Sequence, residues 1–562
     1  MHEPTSPTRS ALIVRVLVAL AMAAGAYAAL RWATPDSAGH GATSLIPALV
    51  AVALALATHR VITSLAIAIV VGALLAAPAY PEFIVFVGDL MGWAYDKADH
   101  LFVASAKVLV NDLMGPAIVN EDNLYVVGFA LTLVAMVRVL TSTHALHRLM
   151  RPFTRLAGTR RGAQGAAAGM GCAVFFDDYA NALVVGAAAR PLTDAQSVSR
   201  EKLSWIVDAT SAPIAGLVVV STWVAYEIKL LDESGVTNDG FDLLVSSLPY
   251  RFYCIFSVAF VWLVIAVGRD FGPMLKAERR AFHDGLVSPP STRRAPDKAP
   301  SEPRAAAWSG WLALAAILAV IVGGLASALS VFENSLQALF FAALVSFGIA
   351  VSGAVLGKLL PARALGRELW ESLGQVIPLL AILILAFSLR FVAKSLGTDQ
   401  YLATLARDVP VGLLPAVSFL IAATIAFATG TSWGTMGILI PLALPLAAEL
   451  TAGHPDGAIL IMLVAASVLD GAIFGDHCSL ISDTTLMSAA ACDCPVVAHF
   501  RTQVPYTIPP MIAATVTGYL WLGLAPNTPW PLAFAGGLLL IAAPIFILGR
   551  RATDPPLAAQ AR

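Results

Sequence analysis

Five aspartates stand where an aspartate is costly. Asp177, Asp178, Asp208, Asp476 and Asp483 lie in stretches otherwise built from apolar and small residues, and Asp470 lies in another. An aspartate at the centre of a membrane helix costs about 2.5–3.5 kcal/mol, so the set costs on the order of 15–20 kcal/mol. No feature of the flanking sequence offsets this, and intramembrane acids mark ion or proton pathways by default. Beside them stand Asn181, Thr210, Ser211, Thr431, Ser432, His477, Ser479 and Thr484, next to glycines and prolines that interrupt helices and free backbone carbonyls. Carboxylates, hydroxyls and carbonyls are what a hard cation takes as ligands. Asp177 and Asp178 are neighbours, and in an apolar setting desolvation and mutual repulsion prevent both from ionising cheaply. A carboxylate held there takes a proton or a sodium ion, but not both, and that competition is the chemistry of exchange. Each group also has a plainer role open to it. A membrane serine or threonine commonly bonds back to its own helix, Asp177 could pair with Arg190 or Arg390, and His477 could be a hydrogen-bonded structural group instead of a proton site.

The composition says what surrounds these residues. Of 562 residues, 58% are hydrophobic and 13% charged, against about 25% charged in a soluble domain. The solvent for most of the chain is therefore lipid. The net charge of −1 gives no sign of nucleic acid, and with no basic stripe or zinc-finger spacing no such partner is expected. Cys172, Cys254, Cys478, Cys492 and Cys494 lie in or beside apolar segments, which argues against a disulfide framework. The Cys492–Cys494 pair is too little for a metal centre, and no cofactor is expected. No Ser-His-Asp set, metal triad or phosphate loop points to an enzyme.

Apolar runs long enough to span, about 20 residues each, fall near 11–31, 45–58, 61–79, 123–140, 203–226, 249–268, 308–330, 336–356, 372–392, 458–490, 504–524 and 530–548. The first resembles a signal peptide but reads better as an uncleaved helix. Basic residues in 141–161, 269–307, 358–367 and at Arg550 and Arg551 place those segments, and both termini, in the cytoplasm. The acidic stretches 80–122 and 227–242 belong outside, in the periplasm. An odd number of crossings must then separate 141–161 from 227–242, and helix 203–226 supplies one. Segment 162–189 must enter and return on one side as a re-entrant hairpin. The same counting makes 411–449 a second hairpin from the opposite face.

The expectation is an all-α polytopic membrane protein with about 12 transmembrane helices and two re-entrant hairpins, arranged as an inverted repeat whose broken helices meet at mid-membrane. Residues 1–122 form an N-terminal membrane segment with its acidic stretch. A first repeat covers 123–268, a flexible cytoplasmic linker 269–307, a second repeat 308–548, and a tail 549–562. Helices 203–226 and 458–490 are broken at Asp208–Pro213 and Asp476–Ser479.

These residues also carry a resemblance. FFDDYANALVVGAAARPLTD from Phe175, SREKLSWIVDATSAP from Ser199 and STW from Ser221 resemble the first signature of the NhaC sodium/proton antiporter family. GTSWGTMGILIPLALPLA from Gly430, GAIFGDHCSLISDTTLMSAAACD from Gly471 and RTQVPYTI from Arg501 resemble its second. The resemblance implies exchange of cytoplasmic sodium for external protons across the inner membrane, kinship with a superfamily of hairpin-containing ion transporters, and a homodimer. The same family is similar to exchangers that couple sodium and protons to malate or lactate. Such a substrate, or an amino acid, needs a cationic partner or helix N-termini, and Arg390 is the one arginine the sequence offers near a pathway.

Overall fold

The computed structural model describes residues 41–58, 60–76, 121–237, 239–289, 306, 308–328, 335–398, 401 and 410–554. The first apolar run, nearly all of the acidic 80–122 stretch, most of the linker from Pro290 to Ala307, the end of the tail and the Arg390 side chain lie outside the described residues.

Every named element among the described residues is helical. Seven helices are long and apolar enough to cross a membrane, or up to nine if each of two bent pairs is one span. The bent pairs are Val127–Ser142 with Ala145–Leu156, at 71°, and Gly240–Tyr250 with Phe252–Val267, at 44°. Three further apolar helices, Gly41–Ala55, Val61–Gly72 and Ser309–Leu325, are shorter. The chain is a multi-pass, all-helical protein, with a span count that depends on how these shorter and broken helices are taken.

The order hairpin, then interrupted helix, occurs twice. In the first hairpin, Thr159 caps helix Arg160–Ala173 by accepting from the Gly162 amide at 3.0 Å. The chain turns at Val174–Asp177 and returns as Asp178–Ala195. The legs are antiparallel, because Leu192 near the end of the second leg packs against the Ala163 and Ala166 cluster on the first. Arg160 also donates to the Ser197 carbonyl at 2.5 Å, closing the open end. The next helix, Arg200–Ala209, stops at the Asp208–Pro213 cluster, and helical structure resumes fully only at Val224–Glu233. Pro213 has no N–H to give and disfavours a helical Ser211–Ala212 approach. Gly171 lets this break come close: a Cβ there would stand 2.0 Å from the Thr210 hydroxyl.

The second hairpin pairs Leu414–Thr429 with Ser432–Leu450, and Gly430 ends the first leg at φ +68°. The following helix, Gly457–His477, is interrupted at Cys478–Ser482 and continues as Asp483–Ala491. Gly471 and Gly475 sit one turn apart against the hairpin's first leg. A Cβ on Gly475 would lie 2.4 Å from the Ala423 carbonyl, the close backbone approach that small residues at four-residue spacing permit.

The stretch 269–307 differs from a flexible linker in its first part. Gly272–Asp284 is a helix that buries Met274, Ala277, Glu278 and Ala281 on one face. Glu278 accepts from the Ser199 amide at 2.8 Å and pairs with Arg160 at 2.7 Å, Arg280 grips Glu201 at 2.8 and 3.0 Å, and Lys202 pairs with Asp270. The turn-forming composition begins only after Leu286. The residues before it keep the three- and four-residue spacing of an amphipathic helix.

Candidate functional site

The two hairpin tips are built alike. Asp177 has extended backbone, φ −157° and ψ 124°, and its carboxylate accepts from the Ala180 amide at 2.6 Å. Thr431 has φ −147° and ψ 121°, and its hydroxyl accepts from the Gly434 amide at 3.3 Å. Both are N-caps. Asp177 and Thr431 therefore hold their helices, and the residues after them, Asp178 and Ser432, begin the helices facing inward. Both are buried, at 2% and 1% exposure.

Four polar clusters, far apart in sequence, are joined in a ring. The Asn181 side-chain nitrogen donates to the Thr210 carbonyl at 2.8 Å, tying the first tip to the first break. The Thr222 amide donates to the Phe176 carbonyl at 3.0 Å, so the non-helical run before Val224 passes beside the same tip. Trp223 then meets Trp433 of the second tip, with ring centroids 5.2 Å apart, and Tyr226 donates to the Trp433 carbonyl at 2.7 Å. Ser432 lies 3.5 Å from an Asp476 oxygen at the second break, and Thr484 3.4 Å from the same oxygen. The ring closes through Gln503, which donates to Asp208 at 2.7 Å and to the His477 carbonyl. Asp476 lies within electrostatic reach of Asp178, Asp208 and Asp483.

Several expected ligands turn out to have local duties. The Thr210 hydroxyl bonds back to the Ile206 carbonyl at 2.8 Å and that of Ser211 to the Asp208 carbonyl at 2.9 Å. Ser479 accepts from the Ile481 amide at 3.4 Å. His477 shares a 2.7 Å hydrogen bond with the Tyr253 hydroxyl. Asp483 is exposed and accepts from Tyr179. Residues not singled out from sequence complete the site: His499, 3.2 Å from Asp208, Gln503, Tyr253, Trp223 and Trp433. His499 and Gln503 share one helix face at four-residue spacing, the one signal that could have paired them.

What remains in the middle is a set of oxygens without donors. Both carboxylate oxygens of Asp178, one each of Asp208 and Asp476, and the amide oxygens of Asn181 and Gln503 are buried without a well-formed hydrogen bond, and the Trp223 indole N–H beside Asp178 is likewise unpaired. A ring nitrogen on each of His477 and His499 is also unpartnered. Leaving one buried polar atom unsatisfied costs about 1–3 kcal/mol, more for a charged one. Six such oxygens belong to residues of the ring described above, which makes this ring the candidate site. Among the described residues no three His, Cys, Asp or Glu side chains converge as a metal-ligand group, so the donors offered are a mixed carboxylate, amide and hydroxyl set.

The sequence profile of the Na+/H+ antiporter family matches residues 201–524, which include both breaks, the second hairpin and Gln503. The chain belongs to the Na+/H+ antiporter family. An uncharacterized protein of Haemophilus influenzae is 30% identical over 503 residues, 85% of this chain and 90% of its own length. The malate-2H+/Na+-lactate antiporter of Bacillus subtilis is 34% identical over 110 residues, 19% of this chain and 22% of that protein. Among solved structures, the YdaH transporter of Alcanivorax borkumensis has a TM-score of 0.47 at 14% identity, covering 77% of this chain and 90% of that one. MtrF of Neisseria gonorrhoeae, from a class of antimetabolite efflux pumps, has a TM-score of 0.46 at 12% identity, covering 80% and 86%. Membership of this antiporter family makes the chain a membrane transporter, and the orphaned oxygens lie within elements the family profile spans or in the hairpin just before it.

Proposed function

We propose that the protein exchanges cytoplasmic sodium for external protons across the inner membrane. The observation that carries the reading is the group of buried, donor-free oxygens on Asp178, Asn181, Asp208, Asp476 and Gln503. A sodium ion satisfies them by coordination, and a proton satisfies the carboxylates by covalent attachment, so each displaces the other. Asp178, Asp208 and Asp476 carry the competition, with Ser432 and Thr484 as neutral neighbours. Asp177 and Thr431 fix the tips that present them. Asn181 adds its amide oxygen, and Thr210, Ser211, His477, Ser479 and Asp483 complete the polar surround. The two hairpins enter from opposite faces as an inverted repeat, and the ring of contacts between their tips is the place where alternating access acts. A homodimer belongs to the same proposal through the resemblance, and the mass of the detergent-purified particle checks it.

The test is transport in proteoliposomes with an imposed pH gradient, adding Na+, Li+, K+ and malate in turn. Collapse of the gradient by sodium alone supports exchange. The partial match to a malate/lactate antiporter favours a second reading, a sodium- and proton-coupled exchanger of small organic acids. A strict requirement for malate or lactate selects that reading and overturns the first. Orientation has its own check. A cysteine introduced at Gln196 labels only from the cytoplasm and one at Asp239 only from the periplasm; labelling of position 196 from outside contradicts the first re-entrant hairpin.

A further inference from the structure

We infer that Gln503 is a direct, neutral ligand of the transported cation and sets its preference for a metal ion over a proton, an inference that rests on the sodium exchange proposed above. Gln503 lies in helix Val496–Ala513 and is 1% exposed. A side-chain amide has two N–H donors and one carbonyl acceptor. Both donors are in use, one on Asp208 at 2.7 Å and one on the His477 carbonyl. These partners fix which way the amide points. Turned over, its oxygen would face a carboxylate oxygen and a carbonyl oxygen with no proton between them. The oxygen therefore faces away from both, buried and without a donor, and the second oxygen of Asp208 is also without one.

Asn181 repeats the pattern on the other side of the first break. Its nitrogen donates to the Gly171 and Thr210 carbonyls at 2.7 and 2.8 Å, and its oxygen is bare. Two amides have every donor tied to the interrupted helices or the hairpin beside them, and both oxygens unsatisfied. As simple struts they would still leave each of those oxygens buried and unsatisfied, at the full cost of its desolvation. Coordination of a hard cation removes the cost. An amide oxygen also does what no carboxylate can: it binds a metal ion while staying unprotonated at any working pH. Adding it beside Asp208 strengthens the cation-bound state and leaves the proton-bound state unchanged. Its grip on both Asp208 and the end of Gly457–His477 places the ligand where the two repeats meet.

The experiment compares wild type with Gln503→Met and Gln503→Glu in proteoliposomes, reading initial exchange rate against sodium and then lithium concentration. Gln503→Met is expected to raise half-saturating sodium about ten-fold or more and to change the sodium-to-lithium ratio, with the saturated rate much less affected. Gln503→Glu keeps an oxygen and, protonated, one donor to Asp208, and is expected to stay nearer wild type in the sodium-to-lithium ratio while its half-saturating sodium becomes more dependent on pH. If Gln503→Met does not reach the membrane, Gln503→His decides, because it keeps a donor to Asp208 but brings no oxygen; the same rise is expected. A fall in the saturated rate alone, with half-saturation and ion ratio unmoved, would mean a purely positioning role and overturn the inference. Wild type that moves no protons on sodium addition overturns the exchange reading itself, and this inference with it.

Discussion

Asp470 and Asp476 stand less than two turns apart on one helix, at 0% and 1% exposure, and their surroundings are opposite. Asp470 receives Arg251 at 2.9 Å on one oxygen, and the Tyr253 amide and Tyr519 hydroxyl, both at 2.6 Å, on the other. Arg251 is itself fully buried and lies 3.6 Å from Glu227. The π-helical turn Ala514–Leu520 brings Tyr519 into this group. Asp476 has two hydroxyls at 3.4 and 3.5 Å on one oxygen and nothing on the other. Burial costs both carboxylates alike. What separates a structural acid from a working one is whether the protein supplies its partners. Asp470 is fastened by its own chain, whereas Asp476 keeps one oxygen without a partner, as the proposed exchange requires.

The comparison predicts different failures in the two regions. The largest effect on stability belongs to Arg251→Met, which leaves Asp470 and Glu227 buried without their cation. A loss of about 3–5 kcal/mol is expected, read as a lower thermal midpoint in detergent and little protein in the membrane. A normally stable Arg251→Met protein would break the distinction. Asp178→Asn and Asp476→Asn should instead abolish sodium-driven proton movement while the thermal midpoint holds or rises, because removing an unsatisfied buried charge relieves about 1–3 kcal/mol. Exchange surviving in both variants would leave the carboxylates without a role. Gly475→Leu forces a side chain into the Ala423 carbonyl and should cost about 1–3 kcal/mol, measured the same way. Ser432→Ala is the mildest. Loss of one weak hydroxyl contact to Asp476 should raise half-saturating sodium several-fold, on the order of 1 kcal/mol, with the fold unaffected.

The acids of the site were legible in the sequence because an aspartate among apolar residues needs a reason, and the breaks were legible from prolines and small polar runs. Charge counting singled out the two segments that fold as antiparallel helix pairs, 162–189 and 411–449. The donors were harder to find. Arg251 reads as the flank of an apolar run, and its partner is 219 residues away. Gln503 is 295 residues from Asp208. Asp177 and Thr431 looked like ligands because a cap and a ligand use the same oxygen, and only the backbone angles tell them apart. Helix Gly272–Asp284 was hidden by the Pro- and Ser-rich stretch that follows it, although its apolar spacing was present.

Proton release on sodium binding tests the central claim most directly. Purified protein in weakly buffered detergent solution is given sodium chloride, with choline chloride as control, and the change in pH is followed. If a shared set of oxygens holds either ion, sodium releases protons in a fixed ratio to protein, choline releases none, and Asp178→Asn or Asp476→Asn lowers or removes the release. Sodium that binds without displacing a proton would contradict competition at these carboxylates and the account of exchange built on it.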